Sequence, residues 1–193
     1  MHLSIRFVLT ALISVGLLKV APTRPAARPP RTVTFQADQT LIKRGEYLVG
    51  IMGCHDCHSP KTMGPNGPEL VTNKLLSGYP ADRPLPARSA DALKDWVLFN
   101  GDNTAAAGPW GVSFAANLTS DATGIGTWSE EQFRRALVQG KAKGLASNRM
   151  LLPPMPWPNY RQIKDDELRA IFAYLKSTKP VANVVPAPIP PGR

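Results

Sequence analysis

The sequence predicts an all-α domain with long loops. Three observations carry that expectation. Three stretches show helical periodicity with recognisable ends, at Gln39 to Gly53, after Ser129 and from Asp165. The runs between them, 59–88 and 101–127, are crowded with turn formers. No segment demands a sheet through sustained apolar–polar alternation.

The first helix, QTLIKRGEYLVGIMG, puts Leu41, Leu48 and Ile51/Met52 to one side and runs straight into Cys54. Gly45 within it would let another backbone come close. Residues 90–99, ADALKDWVLF, suit a short helix. The helix after Ser129 has the clearest start. Ser129 is a good N-cap, Gln132 holds the capping-box position, and Trp128 and Phe133 form a hydrophobic staple. Phe133, Ala136 and Leu137 supply its buried stripe, and Gly140 stops it. The last helix opens with Asp165, Asp166 and Glu167, negative charge at its positive end. Leu168, Ile171, Phe172 and Leu175 then follow i, i+3, i+4, i+7. Lys176 and Lys179 suit its carboxyl end, and Pro180 closes it.

A chain of 193 residues favours one domain with tails, and 43% hydrophobic residues suffice for a core. Prolines concentrate at both ends, so the folded unit is expected over 35–180, after a Pro/Arg-rich linker at 21–34 and before a Pro-rich tail at 181–193. Residues 1–20 read as an export signal or an amino-terminal anchor. Arg6 is followed by the apolar run Phe7 to Leu18, whose 12 residues are fewer than the roughly 20 a membrane-spanning helix needs. The domain is therefore expected in the periplasm or another extracytoplasmic space, soluble or tethered. Formal charge is +9, or 9 − 3 = +6 without Arg6, Lys19 and Arg24. Such a balance suits an acidic protein partner or anionic lipid; no Lys/Arg block with interleaved aromatics points to nucleic acid.

The stretch GCHDCHSP, 53–60, contains both cysteines and two of the three histidines. Cysteines at i and i+3 staple nothing distant, so they read as a chemical site. Three chemistries compete. A structural zinc site wants four converging ligands, and adjacent Cys-His pairs close one tetrahedron poorly. A dithiol switch belongs beside a βαβ pattern, which is absent. Covalent haem attachment fits C-x-x-C-H directly: Cys54 and Cys57 add to the two vinyl groups, and His58 comes under the iron. The other ring nitrogen of His58 then needs an acceptor to fix the ring.

Such an iron needs a sixth ligand. His2 lies in the signal, and His55 sits inside the attachment loop, so a second histidine from this chain is excluded. Met52 and Met63 flank the motif too closely, which leaves Met150 and Met155. A lone methionine usually only fills a core. Met155, however, lies in LLPPMPWPNY, where Pro153, Pro154, Pro156 and Pro158 stiffen the backbone. Met155 is the expected ligand and Met150 the alternative.

From these residues onward the chain resembles class I type cytochrome c domains, over roughly Thr40 to Val181. RGEYLVGIMGCHDCH is similar to the family's first helix and haem loop, and TMGPN to the loop whose proline carbonyl accepts from the proximal histidine. The resemblance thus implies Pro65 as the partner of His58. MPW followed by DELRAIFAYLKS is similar to the methionine loop and terminal helix. It further implies a crossing of first and last helices through Gly45 and Tyr47 against Phe172, Tyr174 or Leu175. His58 and Met155 are 97 positions apart, longer than in compact carriers. The extra region resembles cytochrome c domains of exported dehydrogenase cytochrome subunits. In it, Trp110, Phe114, Asn117 and Trp128 are candidates to line the haem, with packing the commoner role for such residues.

The function expected is electron transfer by one covalent haem c with His58 and Met155 on the iron, and no catalysis by the chain itself. The partners expected are redox proteins, with docking helped by Lys61, Lys141, Lys143 and Arg149, or a membrane-bound complex of which this chain is the cytochrome subunit. A haem enzyme or gas sensor is the alternative should Met155 leave the iron.

Overall fold

The computed structural model describes residues 39–89 and 91–192. The expected export signal and Pro/Arg-rich linker lie outside the described residues. Among these residues there are five helices: α1 Gln39–Ile51, α2 Cys54–His58, α3 Ala92–Asp95, α4 Glu130–Gln139 and α5 Asp165–Ser177. Three short 3₁₀ turns, Thr72–Lys74, Ala142–Gly144 and Trp157–Tyr160, punctuate the connections. Five short strands complete the set: β1 Lys61–Gly64, β2 Gly67–Leu70, β3 Leu98–Phe99, β4 Ala105–Gly108 and β5 Gly111–Phe114.

The core is where α1 and α5 cross. Leu48 and Val49 of α1 meet Leu168, Ala170, Ile171, Phe172 and Leu175 of α5, with Leu76, Ile125, Phe133 and Leu137 closing the cluster. Gly45 lies in the crossing: a Cβ there would stand 2.0 Å from the Ala170 carbonyl oxygen and 2.7 Å from Tyr174 Cβ. Tyr47, implied as the aromatic partner, is instead 56% exposed, with the Arg44 guanidinium 5.4 Å over its ring. Ile51 is likewise turned outward, at 62% exposure. The helix rotates so that Gly45, Leu48 and Val49 face inward, because a 3.6-residue period cannot also bury positions 47 and 51.

The expected start of α4 is present in part. Ser129 Oγ accepts from the Gln132 amide, and Gly140 ends the helix at φ 67°. The reciprocal arm is missing, because Gln132 Nε2 donates to the Lys143 carbonyl at 2.9 Å. Phe133 is buried and stacks on Phe172 at 5.4 Å, tying α4 to α5. With one cap bond at stake, Ser129→Ala is expected to lose about 1 kcal/mol. The melting temperature should fall by roughly 2–4 °C, and an unchanged melt would show that the cap is idle.

The loops contain two small antiparallel sheets that the sequence did not announce. β1 and β2 form a hairpin in register Lys61↔Leu70 through Gly64↔Gly67. β3, β4 and β5 form a second sheet in that order. The strand β4 reads AAAG, all four residues buried, so it lacks both alternation and the β-branched signature. Residues 90–99 are not one helix: a single turn, Ala92–Asp95, gives way to β3, which pairs with Ala106 and Ala107.

The segment after Pro180, expected as a tail, is held against the domain. Val112 and Ile189 exchange backbone hydrogen bonds at 2.8 and 3.0 Å, and Asn183 bonds to two separate segments, at 77–81 and at Thr123. Among the described residues, no helix is long and apolar enough to cross a membrane.

Candidate functional site

The site begins at the break between α1 and α2. Gly53 adopts φ 68°, a left-handed conformation that costs glycine little. The pattern that reads as continuous therefore turns, and CHDCH forms its own one-turn helix. Cys54 and Cys57 are free and partly buried, and Cys54 packs against the core. Burial pushes the Cys54 thiol up to about 11, and burial also raises Cys57. Dithiol redox pairs show the opposite shift, a lowered value that supplies thiolate. A hydrogen-bonded zinc-type cluster is not assembled either: among the described residues, no three His, Cys, Asp or Glu side chains gather to hold a metal ion.

His58 is buried, and its Nδ1 donates to the Ala116 carbonyl oxygen at 2.8 Å. A carbonyl only accepts, so the proton sits on Nδ1 and the lone pair on Nε2. Burial also holds this imidazole below its ordinary value, in the neutral form a metal ligand requires. Pro65 does not serve as its partner. It lies in the turn of the β1–β2 hairpin, between Gly64 and Gly67, and the acceptor comes from a segment 58 residues downstream of His58. The backbone carbonyl of His58 is fixed as well, accepting from Gly78 N at 2.8 Å. His55 Nδ1 lies 2.8 Å from Ser59 Oγ, which also accepts from the Leu76 amide.

Lys61 is not a free docking charge. Its ammonium donates to the carbonyls of Asp56 at 2.6 Å, Asp102 at 3.1 Å, Ser59 at 3.2 Å and His55 at 3.4 Å. A cation so placed caps the carboxyl end of α2. Asp102 is buried and closes the clamp: it accepts from Arg83, Asn100, Thr104 and the Lys61 amide. Lys141 and Arg149 are brought together by the backbone bond from Ala142 N to Arg149 O, and Lys143 shares their loop.

Met155 is half-buried and packs on the same core cluster as Cys54, Met52 and Tyr160. The loop that bears it is tied to the second sheet, Ser113 Oγ donating to the Pro153 carbonyl at 2.6 Å. Met150 is 40% exposed and bridges to Lys141, and Met63 is 75% exposed. Tyr160 was not foreseen. It packs on the same core as Cys54, its hydroxyl donates to the Met52 carbonyl at 3.4 Å, and burial first, then the two thiols, raise that hydroxyl above its ordinary value. Trp110, Phe114 and Asn117 have structural partners: Trp110 Nε1 donates to Ser113, Phe114 lies 4.8 Å from the Tyr79 ring, and Asn117 accepts from Thr119. Trp128 packs on the core.

The residues fit a covalent haem c: two free thiols three apart on one helical turn, a neutral histidine with Nε2 as its lone-pair nitrogen, and a thioether on the same core. No family model matches the chain. It is 32% identical over 150 residues to the gluconate 2-dehydrogenase cytochrome c subunit of Pantoea cypripedii, covering 77% of this chain and 26% of that one. It is 30% identical over 154 residues to the cytochrome c subunit of the quinone alcohol dehydrogenase of Gluconobacter oxydans (strain 621H), 79% of this chain and 24% of that one. It is 28% identical over 175 residues to the fructose dehydrogenase cytochrome subunit of Gluconobacter japonicus, 90% of this chain and 29% of that one. The chain thus spans about a quarter of the length of the curated relatives it matches. With the CHDCH turn and the likeness to these three subunits together, the chain is a cytochrome c domain, similar to those of dehydrogenase cytochrome subunits.

Proposed function

We propose that this domain transfers electrons through one covalently bound haem c, in a cytochrome c-like fold framed by α1, α2 and α5. The observation that carries the reading is the tautomer of His58: its Nδ1 is committed to Ala116, which reserves Nε2 for iron. Cys54 and Cys57 would hold the group, and His58 and Met155 would ligate its iron. When bound, the haem supplies a one-electron Fe(III)/Fe(II) couple, and His/Met ligation raises its potential while leaving no open coordination position. The protein's part is to hold the donors still. The Lys61 clamp fixes the carboxyl end of α2, and Ser113 and the prolines fix the methionine loop.

The reading extends to location and partners. The apolar run at 7–18 supports export to an extracytoplasmic compartment. That the relatives are cytochrome subunits of dehydrogenases supports a place in a larger, membrane-associated oxidoreductase, passing electrons from a catalytic partner. Lys141, Lys143 and Arg149 would favour an acidic docking surface.

The test is the visible spectrum of the exported protein, with Met155→Ala and Met150→Ala beside it. Haem that survives acidic organic extraction is expected, with a methionine–iron charge-transfer band lost only in Met155→Ala. A wild type that is high-spin or binds carbon monoxide readily would instead favour an enzyme or gas sensor. A chain that carries no haem would sink the proposal.

A further inference from the structure

The acceptor that orients His58 is held in place from the far end of the chain. Ala116 lies in a segment cross-linked to residues 76–79: Leu118 N donates to Leu76 O at 2.8 Å, and Tyr79 N to Ala115 O at 3.0 Å. The two backbones meet closely at Gly78, φ +76°, where a Cβ would stand 2.4 Å from Ala115 O and 2.7 Å from Ala116 O. Gly78 N is also the donor to the His58 carbonyl. The imidazole and the backbone of His58 are therefore both seated on this pair of segments.

Residues 181–183 bind both segments at once. Asn183 Nδ2 donates to Ser77 O at 2.7 Å and Tyr79 O at 2.8 Å, the residues on either side of Gly78. Its Oδ1 accepts from Ala81 N at 2.9 Å, and its own amide donates to Thr123 Oγ1 at 2.9 Å. On the other segment, Asn117, next to Ala116, donates from Nδ2 to Val181 O at 2.8 Å. One planar amide thus fills both donor sites and an acceptor site on the Gly78 segment, while the strap backbone at Val181 and Asn183 accepts from Asn117 on the other.

We infer that Asn183, with the strap from Val181 onward, is a positioning residue for the axial histidine: it sets the Ala116 carbonyl against His58 Nδ1 and thereby tunes the iron. This rests on the haem reading above. A firm bond from Nδ1 to a carbonyl raises the basicity of the ligand and favours the ferric state. Loosening the cradle weakens that bond and shifts the couple toward the ferrous state.

The experiment is a redox titration of the haem-loaded full chain carrying Asn183→Ala, with exchange of the His58 Nδ1 proton followed by NMR in the reduced state. The expected result is faster exchange and a shift of the couple of about fivefold, ~40 mV upward at 59 mV per tenfold, with the methionine–iron band retained. Thr123→Val, which removes the hydroxyl that accepts from the Asn183 amide and from Asn117 Nδ2 and donates to Asp121 but leaves the Asn183 side chain in place, should move both readouts the same way by less, and it serves where Asn183→Ala fails to fold. Val184→Ala, at a 72% exposed neighbour in the strap, should move neither. Lowered melting with unchanged potential and exchange would overturn the proposal and leave a structural brace. An equal shift in Val184→Ala would overturn it too. Absence of covalent haem from the wild type would defeat the haem reading itself, which the extraction step reveals separately.

Discussion

Gly45→Ala is expected to destabilise the domain by about 3 kcal/mol, a roughly 6–12 °C fall in melting temperature, and to reduce the yield of haem-loaded protein. The new methyl would stand 2.0 Å from the Ala170 carbonyl oxygen and 2.6 Å from its carbon, and that obstacle is helix backbone rather than a side chain that can swing away. Relief requires α1 and α5 to separate, and their contact is the centre of the core. Because α1 leads through Gly53 into the CHDCH turn, its displacement also moves the cysteines. Gly50 supplies the contrast on the same helix. Nothing lies within 4 Å of a Cβ there, so Gly50→Ala should be neutral or stabilising by about 0.5–1 kcal/mol. Thermal melts of the two variants check the claim; a Gly45→Ala melt within about 2 °C of wild type would mean that the crossing is not as tight as the geometry says.

Asp102→Ala is expected to lose about 3 kcal/mol, as much again, by a different route. The carboxylate is buried and accepts from Asn100, Thr104, Arg83 and the Lys61 amide. Truncation strands the buried amide and hydroxyl donors of Thr104, costs Asn100 one of its two acceptors, and releases Arg83, which is exposed enough to find water. The Lys61 main-chain amide also loses its acceptor, while its ammonium keeps the Asp102 backbone carbonyl. The pH dependence follows from the same contacts. Burial pushes the Asp102 carboxyl up, but the Thr104 and Arg83 hydrogen bonds outweigh it and leave the group below its usual value. A folded-state value below the unfolded one stabilises fully above the unfolded value, about 3.9, and the contribution is lost as pH falls through the folded value. The wild type should therefore lose stability steeply below about pH 4, and Asp102→Asn should show a shallower acid slope from a lower plateau. Equal acid slopes for wild type and Asp102→Asn, measured by urea unfolding at several pH values, would exclude Asp102 as the group responsible.

The sequence by itself determined what depends on neighbours within a turn or two. Ser129 and Gly140 bracket α4, and the acidic triplet at 165–167 opens α5, because caps and end charges act within one helical turn. The CHDCH spacing marks a chemical site for the same reason: residues i and i+3 share a helix face however the rest folds. The tertiary structure alone decided what depends on where distant segments meet. Ala116 as the partner of His58, Lys61 as a clamp rather than a docking charge, and Asn183 on the Gly78 segment all rest on backbone carbonyls, which every residue type carries alike. No side-chain pattern can announce such an acceptor. The small sheets escaped for a related reason: AAAG pairs by backbone bonds and burial on all four residues, without the alternation that exposes a half-buried strand in a sequence. The helix face of α1 turned as it did because Gly45 needed the inside of the crossing, and that demand comes from Ala170, 125 positions away.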